Sequence, residues 1–233
     1  MTGQTDMAFM DEAEARRLMV DVGRRMYLKG FVAANDGNIS VRIGPDALLV
    51  TPTGVSKGYM DAGMMVKVDL EGRVLSGGRP TSELAMHLRV YRENPEVRAV
   101  VHAHPPVATS LSIAGIPLDR PILTEAILSL GDVPIAPYAT PGTAEVPDSI
   151  APFCRTHNAV LLANHGAVTW GEDLLQAYYR MESVEHYATI LVYTRHIIGR
   201  SNDLSGTQVS ELIRIRERTA VRSGNVPEST SEN

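Results

Sequence analysis

His102 and His104 close an apolar run, Val100-Val101-His102-Ala103-His104, which Pro105 and Pro106 then end. Side chains two apart on an extended strand project from the same face, so both imidazoles point one way and could grip one ion. Five further histidines are candidates for a third ligand: His87, His157, His165, His186 and His196. His87, His186 and His196 fall within helical segments, where packing or a wet helix face accounts for them. His157 stands beside Asn158 in a polar turn. His165 differs, because it follows the apolar strand AVLLAN and precedes Gly166, at a strand end or bulge where a side chain is readily re-aimed. Three imidazoles with an open fourth position make a catalytic zinc site rather than a closed structural one. On spacing alone, three satisfied polar histidines without metal remain the alternative.

A second group of residues suits an anion. Segments 37–40 (GNIS), 51–57 (TPTGVSK) and 78–83 (GRPTSE) each combine glycine with hydroxyls. Backbone N–H groups and Ser or Thr hydroxyls in such turns can cradle phosphate oxygens. Each is also an ordinary turn composition, and Thr81-Ser82 has a separate possible duty as a helix N-cap. Glu83 is expected in the first helical turn, where the macrodipole favours its ionised form. That is routine stabilisation or, beside a metal, a carboxylate kept anionic to accept a proton.

The elements that must position these groups are legible as patterns. Asp11, Glu14 and the recurrence of Leu18, Val22 and Met26 predict a helix over 11–29, with Gly30 as its stop. Short strands follow at 39–43, 47–51 and 65–70, and a Glu71-Gly72 turn leads into 73–75. Helices are predicted at 83–93, from Pro105 to about Ala114, and at 121–130, 144–156, 173–198 and 208–220, with strands at 97–103, 159–164 and 167–170. Strand pairs joined by tight turns imply a substantial antiparallel component. The expectation is one α/β domain over 1–220, with helices packed on a mixed sheet, and a polar, disordered tail over 221–233.

Composition sets the frame. The 233 residues are 44% hydrophobic, enough for a sizeable core, and the net charge of −5 argues against nucleic acid or an anionic membrane as partner. Cys154 is the single cysteine, which excludes an intrachain disulfide and a zinc site built on several cysteines. The N-terminal stretch lacks a basic segment followed by an apolar core, and no run of about 18 apolar residues could span a bilayer. A cytoplasmic protein is expected.

In order, GNIS, TPTG, TSE, VVHAH and NHG (164–166) make the chain resemble the class II aldolase/adducin family over roughly residues 10–200, most closely its L-fuculose-1-phosphate aldolase branch. The resemblance implies a three-layer α/β/α fold on a largely antiparallel sheet, and a homotetramer with active sites at subunit interfaces. It implies that His102, His104 and His165 bind one zinc ion per subunit, with another divalent metal as the alternative. Asn38, Thr53, Gly54, Thr81 and Ser82 match the family's phosphate-binding positions, and Glu83 matches its catalytic acid/base. The implied reaction is cleavage of a ketose 1-phosphate, L-fuculose 1-phosphate or a related 5-deoxy-pentulose 1-phosphate, to dihydroxyacetone phosphate and an aldehyde.

One departure bears on the aldehyde end. The fuculose-phosphate aldolases place a tyrosine from a neighbouring subunit there, where Glu125 aligns in this chain, and no tyrosine follows Tyr193. Glu125 is therefore the expected aldehyde-side residue. Within the family, sugar-phosphate 4-epimerases carry aspartate at the position of Glu83, and dehydratases of methylthioribulose 1-phosphate lack the TSE segment. Decarboxylases of 3-oxo-tetronate 4-phosphates share the metal site and, with a sugar-phosphate 4-epimerase on that same site, stand as the alternative. Adducin-type members, noncatalytic scaffolds, lack the full histidine triad.

Overall fold

The computed structural model describes residues 9–218; the tail expected over 221–233 lies outside them. Helix α1 (Glu12–Leu28) starts at Asp11, whose Oδ1 accepts the backbone N–H groups of Ala13 and Glu14 at 3.0 and 3.1 Å. Its buried stripe is Ala15, Met19, Val22 and Met26, with Leu18 only partly covered. The chain leaves it through Gly30, and Phe31 donates its N–H back to the Met26 carbonyl at 2.9 Å.

Strands β1 (Asn38–Gly44), β2 (Ala47–Val50), β3 (Val66–Val68) and β4 (Val74–Ser76) then form an antiparallel meander. After α2 (Leu84–Glu93), strand β5 (Ala99–Ala103) pairs antiparallel with β1, and α3 (Pro106–Ala114) and α4 (Thr124–Ser129) follow. Next come β6 (Ile135–Ala136), α5 (Glu145–Ile150), β7 (Ala159–Leu162), β8 (Gly166–Gly171), α6 (Leu174–Val192) and α7 (Gly206–Arg218). The eight strands form one sheet in the order β4-β3-β2-β1-β5-β8-β7-β6, antiparallel except for β6 beside β7. No described helix is long and apolar enough to cross a membrane.

The fold is the expected three-layer arrangement. Ile39, Val41, Val101, Ala103, Leu161 and Ala167 face α1, α3, α4 and α6. Alternate residues of the same strands, Val100, Val160, Val168 and Trp170, face α2 and α5 with Met86, Val90, Tyr91 and Ile150. Several expected boundaries shift for local reasons. The helix expected over 144–156 gives way at Ala151–Phe153 to a 3-10 turn, because Pro152 has no N–H to continue it. The helix expected at 121–130 is confined to Thr124–Ser129, behind Pro121. Strand β6, two residues between Pro134 and Pro137, carries too little pattern to be read in advance.

Strand β7 ends two residues early because residues 162–166 make a turn. Asn164 takes a left-handed conformation (φ 58°), which asparagine tolerates, and His165 donates its N–H to the Leu162 carbonyl at 3.0 Å. Gly166 then starts β8 so close to β5 that a Cβ there would lie 2.5 Å from the Ala103 carbonyl oxygen and 2.6 Å from the His104 ring. Gly166→Ala is expected to cost about 1–3 kcal/mol by overpacking and to push the His104 ring aside. Chemical denaturation and a zinc titration should show both effects; wild-type stability with wild-type zinc affinity would contradict this account of the turn.

Candidate metal centre and active site

His102, His104 and His165 reach one point from three places. His102 lies in β5, on the face towards α2; His104 lies just past the strand end, its N–H bonded to the Phe31 carbonyl at 2.9 Å; His165 leaves the β7–β8 turn. Their ring centroids are 4.8 to 4.9 Å apart, and one nitrogen from each falls within 4.8 Å of the others.

The chemistry of these nitrogens fits a divalent cation. His102 Nδ1 faces the Ala167 carbonyl at 2.9 Å and so carries a proton, and Nε2 faces the site. Burial pushes the ring down but Glu83 raises it overall, so a cation bound at this point would replace a proton on Nε2. That Nε2 lies 3.0 Å from His104 Nε2. Two nitrogens on a tetrahedral metal with bonds of about 2.0–2.1 Å stand about 3.3 Å apart. Burial, then repulsion from His102 and His165, pushes His104 down to about 4, and burial also lowers His165. Both imidazoles are therefore neutral at pH 7, the form that ligates metal.

Glu83 closes the site from α2. Its Oε2 lies 3.3 Å from His102 Nε2 and its Oε1 3.4 Å from His165 Nε2. Burial pushes its carboxyl up, but the charge and hydrogen bond of His102 and the Asn38 amide outweigh that and hold it well below the usual carboxylate range. Its Oε1 is buried with no hydrogen-bond partner among the described residues, an orphan oxygen that a cation would satisfy. Glu83 is the N-cap residue of α2 rather than a first-turn residue, one position earlier than expected. Thr81 and Ser82 therefore precede the cap, and Thr81 Oγ1 accepts the Glu83 N–H at 3.3 Å.

A cavity of about 310 Å³ opens beside these groups, lined by His104, His165 and Glu83 and by Asn38, Thr53, Gly54, Thr81 and Ser82. The two hydroxyl-rich loops are held together by main-chain bonds, Thr53 N–H to the Arg79 carbonyl at 3.2 Å and Thr81 N–H to the Thr51 carbonyl at 3.0 Å. All five expected phosphate-binding residues thus meet around one space. Asn38 has a further engagement, since its Nδ2 donates to Glu83 Oε2 at 2.7 Å.

Glu125 sits elsewhere. It lines a second cavity of about 360 Å³ with Lys29, Glu182 and His186. Within one protomer the fold does not bring it to the histidines, so a part at the aldehyde end requires that it come from a neighbouring copy.

Asp36 escaped the sequence reading, and Lys57 and His87 take roles at the site that it did not give them. Asp36 Oδ2 stands 3.6 Å from His104 Nδ1. Lys57, buried, donates to the carbonyls of Asn35 and Val55 and staples two cavity loops; burial, opposed by Asp36, brings it down to about 8. His87, buried, bonds the Asn38 side chain. A signal for His87 existed: it lies four residues after Glu83, on the same helix face.

A family profile described as "Class II Aldolase and Adducin N-terminal domain" matches residues 17–192. The chain belongs to the class II aldolase and adducin family. It is 35% identical over 191 residues to a 3-oxo-tetronate 4-phosphate decarboxylase of Pectobacterium atrosepticum, covering 80% of this chain and 88% of that one. It is 34% identical over 180 residues to an L-fuculose phosphate aldolase of Haemophilus influenzae, covering 77% and 83%. The crystal structure of YgbL from Escherichia coli superposes with a TM-score of 0.81 at 32% identity, over 86% of this chain and 98% of that one. Relatives of this family are aldolases and decarboxylases, so the chain carries an enzyme's fold with a cluster that could hold the family's metal.

His104→Ala is expected to weaken zinc binding more than about 10-fold while leaving the fold intact, because the residue lies past the end of β5. Metal analysis after dialysis, with thermal unfolding as control, checks this; full zinc occupancy in the variant would contradict the triad.

Proposed function

We propose that the protein is a metal-dependent lyase that decarboxylates a 3-oxo-tetronate 4-phosphate, giving dihydroxyacetone phosphate and CO2. The observation that carries this reading is the convergence of three imidazoles and an anionic Glu83 at one point, beside a cavity walled by hydroxyl- and glycine-bearing loops. The choice of leaving group rests on the decarboxylase relatives, at 32 to 36% identity across three quarters or more of this chain.

The chemistry follows from the substrate. The C1–C2 bond of a 3-oxo acid breaks with its electron pair left on C2 and spread onto the C3 oxygen, so an enediolate forms as CO2 departs. C2 then takes one proton. His102, His104 and His165 would hold zinc or another divalent cation, which supplies Lewis-acid polarisation of the keto oxygen. Thr53, Gly54, Thr81 and Ser82, with Asn38, hold the phosphate, so binding at the unreactive end orients the reacting one. Glu83 takes a proton from solvent and delivers it to C2.

Aldol cleavage of a ketose 1-phosphate such as L-fuculose 1-phosphate is the second reading, favoured by aldolase relatives at 31 to 34% identity. It reaches the same enediolate by breaking C3–C4. That cleavage must also remove a proton from the C4 hydroxyl, the task the family gives to a tyrosine and the alignment gives to Glu125. Loss of CO2 needs no such group, so the two readings differ in whether Glu125 of a neighbouring copy takes part. Both readings carry a homotetramer with active sites at subunit interfaces, and a cytoplasmic setting.

A panel of 3-oxo-tetronate 4-phosphates and ketose 1-phosphates, assayed for CO2, dihydroxyacetone phosphate and aldehyde, separates them. Equal release of CO2 and dihydroxyacetone phosphate is expected, with ketose 1-phosphates turned over at least about 100-fold less efficiently. Aldehyde formation as the dominant activity would replace the decarboxylase reading with the aldolase one.

A further inference from the structure

Behind Glu83 runs a buried chain of polar groups. Asn38 Nδ2 donates to Glu83 Oε2 at 2.7 Å, and Asn38 Oδ1 faces His87 Nε2. His87 Nδ1 lies 2.7 Å from Ser40 Oγ, which in turn lies 2.8 Å from the Tyr91 hydroxyl. Asn38, Ser40, His87 and Tyr91 are all buried.

We propose that His87, backed by Ser40 and Tyr91, is a positioning residue that orients Glu83 through the Asn38 amide. The inference rests on the reading of Glu83 as the group that handles the proton.

The direction of the chain follows from its ends. An ionised carboxylate only accepts hydrogen bonds, so Asn38 must turn its NH2 to Glu83 and its carbonyl to His87. The carbonyl can only accept, so His87 carries its proton on Nε2 and leaves Nδ1 as acceptor. Ser40 then donates to Nδ1 and accepts from Tyr91. Every donor points towards Glu83, and each group has one role consistent with the next. Burial pushes His87 down to about 3, so its ring stays neutral and keeps this single tautomer. Without water to replace a lost partner, a break at His87 frees the Asn38 amide to turn, and an amide carbonyl turned to Glu83 repels it. The carboxylate would then rest away from the reacting carbon.

The folding pattern supplies this arrangement directly. Glu83, His87 and Tyr91 recur every four residues along the start and body of α2, one stripe of a helix. Asn38 and Ser40, two apart on β1, share the strand face turned to that stripe.

The test is a set of holoenzyme variants read as kcat, KM and metal content separately. His87→Leu should lower kcat about 10–100-fold with KM and metal content unchanged. His87→Gln, whose amide N–H reaches towards the Nε2 position, should recover part of that loss. In an Asn38→Ala background, His87→Leu should cost no more than about 2-fold further, because its effect passes through Asn38. Equal losses in His87→Leu and His87→Gln, or losses that multiply in the double variant, would overturn the inference. Should His87→Leu fail to fold, Tyr91→Phe removes only a hydroxyl; it should show a smaller kcat loss that vanishes in the Asn38→Ala background, and a loss persisting there would overturn the inference equally. Glu83→Gln, measured alongside, reports on the underlying reading: wild-type kcat in that variant removes Glu83 as the proton-handling group, whatever the His87 variants do.

Discussion

Asn38 stands opposite His102 across the β1–β5 ladder, and the arrangement of the site depends on that register. It places the amide and the imidazole on the sheet face that α2 covers, so Glu83 meets both from above. A slip of one residue would turn His102 into the layer of α1 and α6 and carry Val101 to the site. The register is itself fixed by apolar alternation: Val101 and Ile39 belong to one core, Val100 to the other. Burial of those side chains therefore also aims the imidazole.

The electrostatics follow from the same burial. A carboxylate taken out of water is costly unless donors or cations surround it. Glu83 has Asn38 and His102 on one oxygen, while the other has no hydrogen-bond partner among the described residues. Neutral imidazoles at His104 and His165 complete a set of lone pairs aimed at one point. Such a site is poor without a cation and well satisfied with one. It also serves one chemical need, a negative charge developing next to a carbonyl, which decarboxylation and aldol cleavage share. Differences between the two lie at the leaving-group end, away from these residues.

Much of this was legible in the sequence because the relevant periods are short. Two histidines two apart on a β-branched run, and glycine–hydroxyl turns before a carboxylate, state their geometry locally. His165 was legible as the third ligand from its strand-end position and from the family motifs, whereas the contact that brings it to His104, the Gly166 approach to β5, is long-range. Lys57 entered only as the last residue of the 51–57 turn, and it is the packing of two loops that buries it. His87 was set aside as an ordinary helical histidine because it was weighed alone, rather than as a stripe with Glu83 and Tyr91. Glu125 aligns with a residue the family donates from a neighbouring subunit, and within the protomer it lines a separate cavity.

The most direct test of the central claim leaves the leaving group out. Dihydroxyacetone phosphate alone, incubated with the zinc-loaded protein in D2O, should exchange one of its two hydroxymethyl hydrogens, followed by proton NMR. Exchange should stop in Glu83→Gln and after removal of metal by a chelator. Exchange of both hydrogens, exchange at the wild-type rate in Glu83→Gln, or no exchange by the metal-loaded wild type would contradict the account.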